Sequence, residues 1–201
     1  MLKLYYAPRT RSARILWLLE ELGLPYELER GEFVPPVKKF FAQQTPTGKY
    51  PTIEDGDVVM CESGAIVEYI LERYGDGRLA PAPGAPDRAA FLQWLHYAES
   101  TAFPPVGIVV WLSRYREGAD GDSLLEDARE RAASGLDFLE RELGGRTWLL
   151  GEEFSAADVM MGFTLIAAMS VGVLSDRHPR LQAYVGRLSA RPALQKVLAD
   201  P

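Results

Sequence analysis

Glu62 and Ser63 place a carboxylate and a hydroxyl side by side where a strand-like run, Val58-Val59-Met60-Cys61, gives way to helical spacing at Ala65, Ile66, Tyr69 and Ile70. A helix beginning at that point offers unbonded amides and the positive end of its dipole, which favour a carboxylate, and Ser63 is its predicted N-cap. Glu62 beside it favours an ammonium group. Together the two suit an α-amino acid. Just upstream, Gly48-Lys49-Tyr50-Pro51 reads as a loop entering a strand. Proline has no amide to give a ladder, so the backbone amide and carbonyl of Tyr50 stay available to a small extended peptide. The plainer alternative is that Pro51 ends a loop and Glu62-Ser63 cap a helix.

The elements that must position these groups follow from periodicity. Leu2, Leu4 and Tyr6 alternate with Lys3 and Tyr5 as in a strand, which Pro8 ends. Helical spacing begins near Ser12, puts Ile15, Leu16, Leu19 and Leu22 on one face and stops at Gly23, with Pro25 beyond. A second strand is expected around Tyr26 to Glu29, so strand, helix and strand form a parallel crossover. Asp55-Gly56 predicts an antiparallel hairpin turn, which makes the sheet mixed and the arrangement an α/β, thioredoxin-like one. Pro35-Pro36 and Lys38 to Gln44 fit a loop with a short helix. The helix from Gly64 to about Tyr74 ends at Gly75, and a Gly- and Pro-rich linker at 77–86 divides a domain at 1–76 from an all-α domain at 87–201. In the second domain Leu125, Ala128, Ala132, Leu136, Leu139 and Leu143 share one helical face, and Leu181, Tyr184 and Leu188 another. Pro104-Pro105 predicts a kink or short break in the first long helix.

A net charge of -6 and the lack of any basic run argue against a nucleic-acid surface. The single cysteine, Cys61, permits no intrachain disulfide, and the chain opens on a strand pattern, so a cytoplasmic setting is expected. Uncharged residues run from Val159 to Ser175, close to the lower limit of about 17 residues for a membrane span. A buried central helix is the expectation instead, because Ser155-Ala156-Ala157-Asp158 just before the run is a capping box and the run itself contains Gly162, Thr164, Ser170 and Gly172. No membrane partner is expected. His96 and His178 lack metal-ligand spacing, and Cys61 reads as a small buried hydrophobe.

The order T-P-x-G-K-x-P-x-I followed by E-S-x-A-I resembles the glutathione-binding half of cytosolic glutathione transferases, and the likeness extends over nearly the whole chain. The phrase H-Y-A-E followed by F-P-P resembles a bacterial and fungal branch of that family, theta- or beta-like. The capping box before a buried helix resembles the family's C-terminal domain. The resemblance implies a cis Tyr50-Pro51 bond, with Tyr50 pairing backbone to backbone with the cysteinyl part of glutathione. It implies that Glu62 and Ser63 hold the γ-glutamyl end, and that Lys49 reaches the glycyl carboxylate, an exposed loop lysine being the alternative. It also implies a homodimer, in which the helix after Ser63 of one subunit meets the helix after Asp87 of the other. Glutathione is then a co-substrate, and no other cofactor or metal is expected.

Such an enzyme needs a thiolate. At neutral pH a thiol of pKa ~8.5 is only ~3% ionised, and a downward shift of about two units, roughly 2.7 kcal/mol, raises that to ~75%. A hydroxyl aimed at the sulfur near a helix N-terminus can supply this. The candidates are Tyr5, Tyr6, Thr10 and Ser12. Aligning the family's S-R-A-x-R pattern on Thr10-Arg11-Ser12-Ala13-Arg14 puts Thr10 at the serine of theta and delta relatives, the methyl being a departure. Ser12 is the alternative, with a competing role as N-cap of the first helix. Arg11 stabilises the thiolate electrostatically or is a solvated surface charge, and Arg14 is expected to be structural. The implied electrophile site lies between Pro8-Arg9 and the helix around Tyr97, Phe103 and Trp111. Thiol-reductase relatives carry a cysteine where this chain has Thr10 or Arg11, which disfavours that activity. Two further functions fit the same fold: peroxidase activity, and a binding or regulatory role without catalysis.

Overall fold

A computed structural model describes residues 1–31, 45–116, 118 and 121–199. The expected Pro35-Pro36 loop and the Lys38 to Gln44 helix lie outside them. The chain divides into one unit of Met1–Ala80 with Ala190–Pro201, and another of Pro81–Ser189.

The first unit is built on a four-stranded mixed sheet in the order β2-β1-β3-β4. In β1 (Leu2–Tyr6) the alternation expected from sequence sends Leu2, Leu4 and Tyr6 inward. α1 (Ser12–Leu22) buries Ile15, Leu16, Leu18, Leu19 and Leu22. Full burial of such a side chain is worth about 1.5–3 kcal/mol relative to exposure. The helix stops at Gly23, whose φ of 65° is left-handed and cheap only for glycine. β2 (Tyr26–Arg30) then runs parallel to β1, Leu2 opposite Tyr26 and Tyr6 opposite Arg30.

β3 (Thr52–Asp55) and β4 (Val58–Cys61) form the antiparallel hairpin. Its turn is Gly56-Asp57 rather than Asp55-Gly56, because Asp55 still pairs with Val58. Gly56 has a φ of 60° and its neighbour does not, the pattern of a type II′ turn with glycine first. α2 (Ser63–Tyr74) packs back on the hairpin end, where the Asp55 carboxylate accepts from the hydroxyls of Tyr74 and of Tyr69, the latter at 2.8 Å. The Tyr74 hydrogen bond, joined by Tyr69 and the Arg73 charge, holds Asp55 below its ordinary pKa against the opposing effect of burial.

α8 (Pro192–Leu198) closes this unit against α1. Leu194 and Val197 are buried, Arg191 grips both carboxylate oxygens of Glu21 at 2.6 Å, and Lys196 reaches Glu20 at 2.7 Å. The helical stretch expected at 87–201 thus yields its last helix to the first unit.

In the second unit the described helices are α3 (Arg88–Tyr97), α4 (Phe103–Tyr115), α5 (Ser123–Leu143), α6 (Ala156–Ser170) and α7 (Pro179–Ser189). The break expected at Pro104-Pro105 takes the form of a π turn, Ala98–Ala102, between α3 and α4. The two prolines enter the first turn of α4 without amides, and the wider turn absorbs the mismatch. Thr164 of α6 donates to the Ala98 carbonyl at that turn, at 3.1 Å. The six α5 residues named from their spacing are all buried. α6 is apolar on all sides and deeply buried, as a central helix must be. Its capping box has both halves in place, Ser155 and Asp158. No helix among the described residues is long and apolar enough to cross a membrane.

Candidate active site

Sheet register brings the candidate residues to one end of the sheet. Thr52 pairs with Tyr5 on one side and Cys61 on the other. Continuing those registers, Tyr50 and Pro51 stand between the loop that follows β1 and the start of α2. Thr10, Tyr50 and Ser63, which are far apart in sequence, therefore belong to the same end of the sheet.

The loop after β1 is tied together by two hydroxyls. Thr10 donates to the Ala7 carbonyl at 2.7 Å, and its oxygen lies 2.7 Å from the Ser12 hydroxyl. Ser12 in turn accepts from the Ala7 amide at 3.1 Å and reaches the Ala7 carbonyl at 3.0 Å. Ser12 is 0% exposed, whereas Thr10 is half-buried. The N-cap role expected of Ser12 falls to another residue. Arg11 occupies the N-cap of α1, and Ser12 is its first residue, buried and hydrogen-bonded within the loop. Arg11 is half-buried, and Arg9 is exposed with a φ of 61°.

The Tyr50-Pro51 peptide is cis, as the resemblance implies. Tyr50 is buried, and burial, with the charge of Glu29, pushes its phenol above the ordinary value, so it stays protonated at neutral pH. Its hydroxyl lies over Gly31, the residue after β2: a Cβ there would come within 1.6 Å of it. Glycine at 31 is what allows the Tyr50 ring this seat, and nothing in the local sequence marks it. Lys49 is exposed, and Cys61 is partly exposed rather than buried.

At the start of α2 the N-cap is Glu62, one residue before the predicted Ser63, with its carbonyl accepting from Ile66 at 2.9 Å. Glu62 holds a φ of 73°, uncommon outside glycine, and its side chain is exposed. Such backbone conformations cost about 1–3 kcal/mol and concentrate at functional sites. Ser63 is the first helical residue, 3% exposed, and its oxygen accepts from Arg14 at 3.1 Å. The hydroxyl and the α2 amides can hold a carboxylate, and Glu62 an ammonium group.

The electrophile candidates fall in both units. Pro8 is half-buried and Arg9 exposed in the first. In the second, Tyr97 packs on Trp94 and Phe138, both at 5.5 Å, and donates its hydroxyl to the Gly135 carbonyl. Phe103 stacks on Phe163 at 5.6 Å. Trp111 is 39% exposed beside Tyr115, and with Ile108 these form an open apolar strip along α4. Among the described residues no cluster of three or more His, Cys, Asp or Glu could hold a metal ion.

Family profiles agree with this geometry. The profile of the glutathione S-transferase N-terminal domain matches residues 1–72, and that of the C-terminal domain residues 122–187. The chain is 32% identical to the glutathione S-transferase-like protein OpS6 of Beauveria bassiana, over 92% of this chain and 88% of that one. It is 30% identical to glutathione S-transferase GstB of Escherichia coli, over 96% and 94%. The crystal structure of glutathione transferase URE2P6 from Phanerochaete chrysosporium, in complex with oxidized glutathione, superposes with a TM-score of 0.83 at 26% identity, over 98% and 94%.

Proposed function

The chain belongs to the glutathione S-transferase family, a family of transferase enzymes, and from that premise we propose that it ionises the thiol of glutathione for attack on apolar electrophiles. The observation that carries this reading is that a part-exposed hydroxyl, Thr10, and the Glu62-Ser63 pair at the start of α2 belong to one end of the sheet. Between them Tyr50 offers its backbone to the cysteinyl part, and Lys49 its charge to the glycyl carboxylate. Arg11, at the N-cap of α1, adds positive potential near the sulfur. The open strip Ile108, Trp111 and Tyr115 favours an apolar second substrate. Glutathione serves as co-substrate with no other cofactor, in the cytoplasm.

Calorimetric titration with glutathione, followed by assays with an aryl halide, a hydroperoxide and a mixed disulfide, tests this reading. Conjugation of the aryl halide is expected. Activity confined to the hydroperoxide or the disulfide would replace it with a peroxidase or a reductase, and binding without turnover with a regulatory module. Ser63→Ala is expected to weaken glutathione binding by about 1–3 kcal/mol, the value of a hydrogen bond to a charged group. Unchanged affinity would remove Ser63 from the site. The active species is a symmetric homodimer, so sedimentation equilibrium at micromolar concentration should return twice the mass of the chain; a monomer mass would contradict it.

A further inference from the structure

At this end of the sheet the polar side chain of Arg14, in the first turn of α1, is fully buried. Its Nη1 points to the Ser63 oxygen at 3.1 Å. We propose that Arg14 is a positioning residue for glutathione, one that acts through Ser63 on the γ-glutamyl carboxylate; this rests on the glutathione-binding reading above.

The argument is one of hydrogen accounting. A guanidinium carries only donors, so the Ser63 oxygen must be the acceptor in this contact. A serine hydroxyl has one hydrogen, and here it cannot lie along the line to Arg14. It is left to point away from the buried arginine, toward the ligand side of the α2 N-terminus. The first turn of a helix also lacks the preceding carbonyls to which a serine further along would direct its hydrogen. Arg14 keeps its charge at every accessible pH, and burial leaves that charge little screened. A carboxylate arriving at Ser63 therefore meets an oriented hydrogen, the α2 amides and a fixed cation behind them. Arg14 itself need not touch the ligand.

The test compares glutathione with its analogue lacking the γ-glutamyl α-carboxylate, by calorimetry, on the full chain. The unaltered protein should prefer glutathione by about 10- to 100-fold, the range of a hydrogen bond to a charged group. Arg14→Gln should cut the preference below about fivefold, and Arg14→Lys, which keeps a charge and a donor on a shorter reach, should fall between. In a Ser63→Ala background, Arg14→Gln should change the preference little, because the intermediary is gone. A preference retained in whichever Arg14 variant folds, or an equal loss of affinity for both ligands, overturns the proposal. So does an effect of full size in the Ser63→Ala background. Should both Arg14 variants misfold, guanidinium NMR of the unaltered protein decides: the Arg14 Nη signals should move with glutathione and not with the analogue, and identical responses overturn the proposal. Failure of the unaltered protein to bind glutathione at all would instead overturn the reading on which this one rests.

Discussion

Replacing Thr10 by valine is expected to raise the pKa of bound glutathione and to lower turnover by about one to two orders of magnitude, while affinity changes much less. Valine keeps the branched shape and deletes the donor, whose single hydrogen must turn from the Ala7 carbonyl to the sulfur when glutathione binds, so the loss falls on the ionised form that the hydroxyl stabilises. Ser12 is fully enclosed and bound to both the amide and the carbonyl of Ala7, whereas Thr10 has an exposed side. Thr10→Ser should therefore be tolerated. Ser12→Ala should cost about 1 kcal/mol of stability by opening the Ala7 loop. Ultraviolet titration of the thiolate in each variant is the measurement. A titration moved by Ser12→Ala and not by Thr10→Val would pass the role to Ser12, and one moved by neither would pass it to Arg11 or to a tyrosine.

Asp158→Ala is expected to be the most destabilising single change in the second unit, by about 3–5 kcal/mol. Asp158 is 0% exposed and receives four donors: the Leu149 amide at 2.9 Å, the Tyr184 hydroxyl at 2.6 Å, and the amide and hydroxyl of Ser155 at 2.8 and 2.9 Å. Burial alone pushes its carboxyl above the ordinary value, and all four donors oppose that shift. Alanine leaves four buried donors stranded, and each carries its own desolvation cost. Urea unfolding followed by tryptophan fluorescence would report it, since Trp148 packs against Tyr184. A loss under about 1 kcal/mol would show that water or backbone adjustment replaces the carboxylate.

The same residue marks how far sequence can be read. Spacing alone identifies Ser155 and Asp158 as a capping box, because both partners sit within one turn. It is silent on Tyr184 and Leu149, which only folding brings to the carboxylate. The sheet, the hairpin and the buried α6 were legible for a similar reason, each resting on a local period or turn signal. Helix starts and the hairpin turn were legible to within one residue, since Arg11 and Glu62 take cap positions by backbone conformation, not by side-chain type. The contacts of Arg14 with Ser63 and of Tyr50 with Gly31 depend on sheet register, and no local pattern announces them. The expectation of helices throughout 87–201 likewise does not say which unit the last of them, α8, closes.

That last placement bears on how the protein is made. The strands and helices of residues 1–80 leave the ribosome before residues 81–189, yet the helix that covers α1 leaves after them. At 5–20 residues per second, synthesis of residues 81–189 takes roughly 5–20 s. For that interval the apolar face of α1 that Leu194 and Val197 will meet stays uncovered, and Glu20 and Glu21 await Lys196 and Arg191. The all-helical unit, continuous in sequence, is complete before the glutathione-binding one. Folding order thus runs opposite to the order of synthesis: the unit whose strands are made before the helical unit is completed after it.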